Sequence, residues 1–259
     1  MRILVTFAVA AEFASWRRRH KFQRVPNLPA GLDLARCPVY RARIGGAETY
    51  VALTGIGPVR ARRAARYALQ SDPDVCISSG LAGALKDIYT RGELLAAAEV
   101  NETRGKHVFR AETALLERAV ACGARSVERF LTNPSVVTSA SAKRGLGAQG
   151  DAVEMESAGV LAAAAAADVP AVAIRVISDD AGQDLPLDFN RVLTTKGKVR
   201  PVRLLQSIAA EPASLRGLLQ LAGDSRRASS LLADFLDRYV ADLAEQRSAH
   251  AAVAVAGRP

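Results

Sequence analysis

Three acidic places in the chain combine a residue type with a position that invites chemistry. Glu154-Met155-Glu156 precedes a long alanine-rich stretch, Ser178-Asp179-Asp180 closes the next apolar run, and Glu12 lies just past the opening run from Ile3 to Val9. An acid at the end of a buried strand is costly to desolvate unless it binds something, so this pattern marks a place where a ligand is held. A plainer reading stands beside it: Glu12 and Glu156 as helix-capping acids, Asp180 as a solvated loop acid, and Met155 as core filling. Metal chemistry is not indicated. Cys37, Cys76 and Cys122 are scattered, and His20, His107 and His250 form no ligand pattern. Cys76 sits within an apolar run and reads as a small core residue.

The elements that must position these acids follow from the apolar periodicity. Ile3–Val9 is a continuous apolar run, as expected of a strand covered on both faces, followed by a helix from Glu12 to about His20. Val39–Ile44 and Thr49–Leu53 flank Gly45-Gly46 and read as a hairpin. Pro58 after Gly57 opens a helix to about Leu69. A strand over Asp74–Ser78 ends in Gly80 and Gly83, with a further strand over Glu93–Val100 and a helix over Thr113–Cys122. Asp151–Met155, a helix from Ser157 to Ala167 and a strand from Ala171 to Ile177 complete the series. This alternation predicts an α/β fold, a three-layer sandwich with a mixed central sheet and ligands collecting at strand ends.

Leu215–Leu221 and then Leu231, Leu232, Phe235, Leu236, Tyr239, Val240 and Leu243 recur at helical spacing, with Ser225 as a cap between two helices. These C-terminal helices either pack on the domain or offer an amphipathic surface to a membrane or a partner subunit. The expected organisation is one domain over 1–246, with 214–246 as C-terminal helices and 247–259 as a frayed tail.

Composition narrows the class. Of 259 residues 49% are hydrophobic, which excludes a disordered body, and an aromatic share of 5% points to an aliphatic core. The net charge of +9 favours acidic partners, yet aromatic side chains are not interleaved with the arginines as base stacking requires, so no nucleic acid is expected. A buried first strand accounts for residues 1–11 better than a signal peptide, because Arg2 alone precedes the run and Glu12 ends it. Scattered cysteines suit a reducing compartment, and the cytoplasm is the expected location.

The same letters resemble the nucleoside phosphorylase superfamily, including methylthioadenosine/S-adenosylhomocysteine nucleosidases. The likeness lies in Glu154-Met155-Glu156 before a helix and Arg175-Val-Ile-Ser178-Asp179, with Glu12, Leu53-Thr54-Gly55-Ile56-Gly57 and Gly80-Leu81-Ala82-Gly83 in matching order. It implies cleavage of a purine nucleoside N-glycosidic bond, adenine being the expected base, without metal or redox cofactor. In that role Asp179 acts as general acid toward the leaving base, its acid form favoured by burial and by Glu156. Glu156 accepts hydrogen bonds from the ribose, Met155 packs on the sugar, and Glu12 orients a hydroxyl and the attacking water. Glu154, Gly80, Leu81 and Ala82 complete the sugar side, and Val136 and Val137 the base side. Negative charge beside the sugar suits an oxocarbenium-like transition state.

Departures from the pattern are Phe7-Ala8-Val9 where relatives often carry glycine, and Leu81 where many carry serine. Missing serine favours water as nucleophile. The basic composition favours phosphate, with Gly57 and Arg60 at the helix start as candidates, although Arg60, Arg63 and Arg66 also read as a solvated basic face. Leu185–Asn190 and Asp224–Arg227 bear a looser likeness to hopanoid-associated phosphorylases, which act on an adenosylated lipid. The resemblance also implies a homo-oligomer. The contrasting class is a non-catalytic module that binds nucleosides or nucleic acid.

Overall fold

In the computed structural model, residues 1–26, 37–192 and 214–256 are described. The opening apolar run forms strand β1 (Arg2–Phe7), in which Ile3, Val5 and Phe7 face one core and Leu4 the other, the period-two alternation of a strand buried on both sides. Beside it lie β4 (Ala47–Leu53), β3 (Val39–Ile44) and β2 (Gln23–Val25), with Gly45 and Gly46 at positive φ in the β3–β4 hairpin. On the other side β1 pairs in parallel with β5 (Val75–Ala84), and β5 pairs in parallel with β10 (Ala171–Asp179). Next to β10 come β6 (Leu94–Glu102), β8 (Arg125–Thr132) and β9 (Ala152–Glu154), with β7 (Val108–Arg110) flanking β6. Because β9 returns to the far end of β5, the sheet closes on itself there.

Helices cover both faces. On one side α1 (Ala10–Arg19), α3 (Thr113–Ala121) and the long C-terminal α7 (Ser214–Ala256) contribute Phe13, Trp16, Leu115, Leu232, Phe235 and Tyr239 to a common core. On the other, α2 (Pro58–Ala68) and α5 (Ser157–Ala165) pack through alanines. A Cβ on Gly159 would lie 2.1 Å from the Pro58 carbonyl oxygen, so glycine sets how closely these helices approach. The three layers and mixed sheet match the expected class. Cys76 is buried in the second core.

Several boundaries differ. Strand β5 runs through Gly80 to Ala84 because β10 accompanies it as far as Gly83 and β9 receives its end. Strands β2, β7 and β8 and the helices α4 (Ala140–Leu146) and α6 (Phe189–Val192) were not anticipated. The C-terminal helices prove to be one, α7 (Ser214–Ala256). Ser225 is no cap: it lies inside the helix, and its carbonyl accepts from the Ser229 hydroxyl one turn on. The helix also continues through most of the tail expected to fray, since alanine-rich sequence favours helix. Residues 257–259 lie outside the described ones. The apolar stripe from Leu232 to Leu243 is core rather than a free surface, while Leu215 and Leu219 are exposed. Among the described residues, no helix is long and apolar enough to cross a membrane.

Candidate active site

The register of β5 creates the cleft. Strand β1 accompanies it only to Ser78, whereas β9 joins it only at Gly83 and Ala84. Between these partners one edge of residues 79–82 is free of strand pairing, the kind of gap at strand ends where ligands bind in α/β proteins. Glu12 enters it from the first turn of α1. Its Oε1 accepts from the Leu81 N–H at 3.4 Å, and its Oε2 accepts from the N–H groups of Ala8 and Val9 at 3.0 and 3.3 Å. The capping role and the position facing the cleft therefore belong to one side chain. Burial raises the Glu12 pKa, with Arg175 partly offsetting it.

Glu154 and Glu156 divide the work that their spacing left open. The carboxylate that caps α5 is Glu154, whose Oε2 accepts from the N–H groups of Glu156 and Ser157, each at 2.8 Å. Its Oε1 accepts from the Thr132 hydroxyl, and Arg175 Nη2 lies 2.6 Å from Oε2. Expected among the substrate contacts, Glu154 lines the cleft but has its carboxylate engaged within the protein. Glu156 makes no cap. Its side chain crosses to α2, where Oε1 accepts from the Gly57 N–H at 3.1 Å. Burial, with Glu154 and Glu12 nearby, pushes its pKa up to about 8.

Asp179 ends β10 in the same cleft, 7% exposed. Its Oδ1 lies 2.7 Å from the Ser178 hydroxyl, and its Oδ2 accepts from the ammonium of Lys143 on α4. A Cβ on Gly83 would stand 2.9 Å from Asp179 Oδ2, so only glycine leaves this carboxylate room. Beside the burial and the nearby Glu156 that the resemblance implies for Asp179, a buried cation is its direct partner. Asp180 is the solvated loop acid its position implies, and it pairs at the surface with Arg91 at 2.8 Å.

Glu12, Leu81, Ala82, Val136, Val137, Glu154, Met155, Glu156 and Asp179 all line one cleft of about 180 Å³, joined by Val9, Ile56, Ser178 and Leu185 among others. Gly80 stands behind the wall, its Cβ direction 3.3 Å from Glu12 Oε1. The candidate phosphate pair is not brought to the cleft: the Gly57 N–H already serves Glu156, and Arg60 is not among the lining residues. Two side chains beneath the cleft went unassigned in the sequence reading. Arg175, 1% exposed, donates to the carbonyls of Ser78 and Ile174 and to Glu154. Lys143, fully buried, lies on a short helix with no apolar stripe to betray it. Among the described residues no group of histidines, cysteines and acids is arranged to hold a metal ion.

The protein is an α/β protein with a closed mixed sheet, and the carboxyl side chains of Glu12, Glu154, Glu156 and Asp179 line one otherwise largely apolar cleft. The family model of the phosphorylase superfamily matches residues 2–209, and the chain belongs to that family. It is 25% identical over 228 residues to a 5'-methylthioadenosine/S-adenosylhomocysteine nucleosidase of Shewanella sediminis, covering 76% of this chain and 94% of that protein. The fold is shared with the corresponding nucleosidase of Helicobacter pylori (TM-score 0.71, 17% identity, 93% of this chain and 97% of the other). It is shared equally with the futalosine hydrolase of the same organism (TM-score 0.70, 16% identity, with the same coverage).

Proposed function

We propose that the protein hydrolyses the N-glycosidic bond of a purine nucleoside, adenine-type nucleosides such as methylthioadenosine or S-adenosylhomocysteine being the expected substrates. The observation that carries this reading is the meeting of Glu12, Glu156 and Asp179, from three distant parts of the chain, in one cleft. Met155 and Glu156 take the ribose. Glu156, its pKa pushed up by burial and by the neighbouring Glu154 and Glu12, accepts hydrogen bonds from the ribose hydroxyls. Glu12, with its raised pKa, is a stronger base than an ordinary glutamate and receives the proton of the attacking water. As the glycosidic bond breaks, its electron pair leaves with the purine, whose ring nitrogen takes a proton from Asp179. Val136, Val137 and Leu185 supply the apolar slot for the base.

Water is favoured over phosphate by the site's donors. Among the described residues no arginine, lysine or histidine lines the cleft, and the amides of Ala8, Val9, Gly57 and Leu81 are engaged by Glu12 and Glu156. Among the described residues a phosphate dianion placed there would find neither the forked cations nor the free N–H groups that bind it elsewhere. The reading extends to a cytoplasmic, self-associating enzyme, in keeping with three free cysteines.

The test is release of free base from methylthioadenosine, S-adenosylhomocysteine, adenosine and inosine, with and without phosphate. Free sugar formed at a rate indifferent to phosphate is expected. Phosphate dependence with ribose 1-phosphate as product overturns the choice of water, and no base release from any substrate overturns the enzyme reading. Asp179→Asn should lower kcat by about 10²–10⁴ with an unchanged circular dichroism spectrum. Turnover at the wild-type rate removes Asp179 from the mechanism.

A further inference from the structure

Asp179 stands in an ion pair before any substrate arrives, which raises the question of where the proton for the leaving base originates. Lys143 is fully buried, and its Nζ has three hydrogen-bond partners: Asp179 Oδ2, the Asp180 carbonyl at 2.9 Å and the Gln183 carbonyl at 3.0 Å. An ammonium has three N–H donors and no acceptor, so each proton is assigned. Burying an ammonium costs several kcal/mol even beside a carboxylate, and an apolar residue at that position would avoid the cost. No such expense is needed merely to anchor α4, a helix of seven residues whose first turn is already capped by the Ser139 hydroxyl.

We infer that Lys143 is a positioning residue that acts through Asp179 as the proton reservoir for the departing base. The inference rests on the reading of Asp179 given above. Lys143 passes one proton to the Asp179 carboxylate, and as the glycosidic C–N bond breaks and its electron pair moves onto the purine, Asp179 hands that same proton to the ring nitrogen and returns to the carboxylate. Lys143 becomes a neutral amine. While Asp179 holds the relayed proton, the amine keeps two N–H groups, matching the two carbonyls of Asp180 and Gln183, and its lone pair accepts from the Asp179 hydroxyl. No partner is left unsatisfied either in the ion pair or while Asp179 holds the proton. The water that attacks the anomeric carbon leaves its proton on Glu12, and exchange with solvent after product release returns one proton to Lys143. The carbonyl cage thus stabilises both ends of the transfer, a property that a surface lysine would lack.

Lys143→Met and Lys143→Arg test this against two ribosides, an adenine nucleoside and 4-nitrophenyl riboside, whose leaving group departs without a proton. For Lys143→Met, kcat on the adenine nucleoside should fall by about 10²–10³, with KM within about threefold and kcat on the nitrophenyl riboside within about fivefold of wild type. Lys143→Arg keeps the ion pair, and with it the fold, but arginine does not release a proton in proteins. It should therefore show the same leaving-group-selective loss, and it keeps the test decisive should the methionine variant not fold. Equal losses on both ribosides would make Lys143 a structural residue only and overturn the inference. Wild-type kcat on the adenine nucleoside in Lys143→Arg would show that charge alone suffices and would also overturn it. These failures require an active wild type; a wild type that releases no base from any nucleoside overturns the functional reading and this inference together.

Discussion

Two sets of ion pairs, alike in composition, hold this molecule in different ways. Along the outer face, Arg19 on α1 reaches Asp234 and Asp237 on α7, with the Arg19 and Asp234 side chains 31% and 48% exposed. Beneath the cleft, the side chains of Arg175 and Glu154 are 1% and 0% exposed, and those of Lys143 and Asp179 0% and 10%. Exposed pairs are screened by water and contribute about 0–1 kcal/mol. Buried pairs carry a desolvation cost that their attraction only roughly offsets, so an apolar replacement is often as stable. Stability therefore does not explain why the charges sit under the cleft. Packing holds α7, through Phe235, Leu236 and Tyr239 at 0% exposure, while the charges under the cleft fix the orientation of acids that face a ligand.

The sharpest way to break this contrast is Arg175→Met. It leaves the Glu154 carboxylate buried beside only neutral donors and strips the Ser78 and Ile174 carbonyls of theirs. The expected loss is about 3–5 kcal/mol, read from urea unfolding midpoints at constant m-value. Adding Glu154→Gln should recover part of that loss, because the remaining cost is largely an unpaired charge. A single variant within about 1 kcal/mol of wild type would mean that the pair is not the structural hinge of the site.

What the sequence made legible was set by periodicity. Continuous apolar runs exposed β1, β5 and β10, and the acids that end or follow them were found because strand ends are where side chains meet ligands. Legibility failed where position depends on partners distant in the chain. Spacing could not tell which of Glu154 and Glu156 caps α5, because the backbone turns between them and sends one toward Arg175 and the other toward Gly57. Lys143 lies 36 residues from Asp179 on a helix whose segment, ASAKRGL, has neither length nor an apolar stripe. Strand β8 was hidden by its charged residues: Arg125, Glu128 and Arg129 interrupt the apolar alternation. The single C-terminal helix was read as two because Ser225 resembles a cap, yet packing against the sheet carries the helix through it.

A milder effect separates the cleft acids from the surface acids through pH. The Glu156 pKa, about 8 in the folded protein against 4.5 ordinarily, means that the native state keeps a proton the unfolded chain has lost between those values. Stability from this group is complete below about pH 4.5, declines as pH rises through the window and is gone above about pH 8. Glu12 acts in the same direction. Glu156→Gln retains an acceptor for the Gly57 N–H without the ionisation, so its melting temperature should fall less steeply from pH 5 to 8. At pH 8 it should stand above wild type by about 2–4 °C, equivalent to about 1 kcal/mol for a chain of this size. A slope as steep as that of wild type would place the pH dependence on other groups.

The smallest effect should come from the outer pairs, and its smallness is the informative part. Asp234→Asn removes the Arg19 contact at 2.5 Å, but Arg19 keeps Asp237 at 3.3 Å and the Ser230 hydroxyl at 3.3 Å as partners. The expected cost is about 0.2–1 kcal/mol in low salt, shrinking further at 1 M salt, where the screening length is about 3 Å. Arg175→Met should show almost no salt dependence, because ions do not reach a side chain 1% exposed. Measuring both variants across one salt series separates burial from charge as the source of the difference. A salt-insensitive loss above about 2 kcal/mol in Asp234→Asn would show that α7 is held by its charges and not by its packed face.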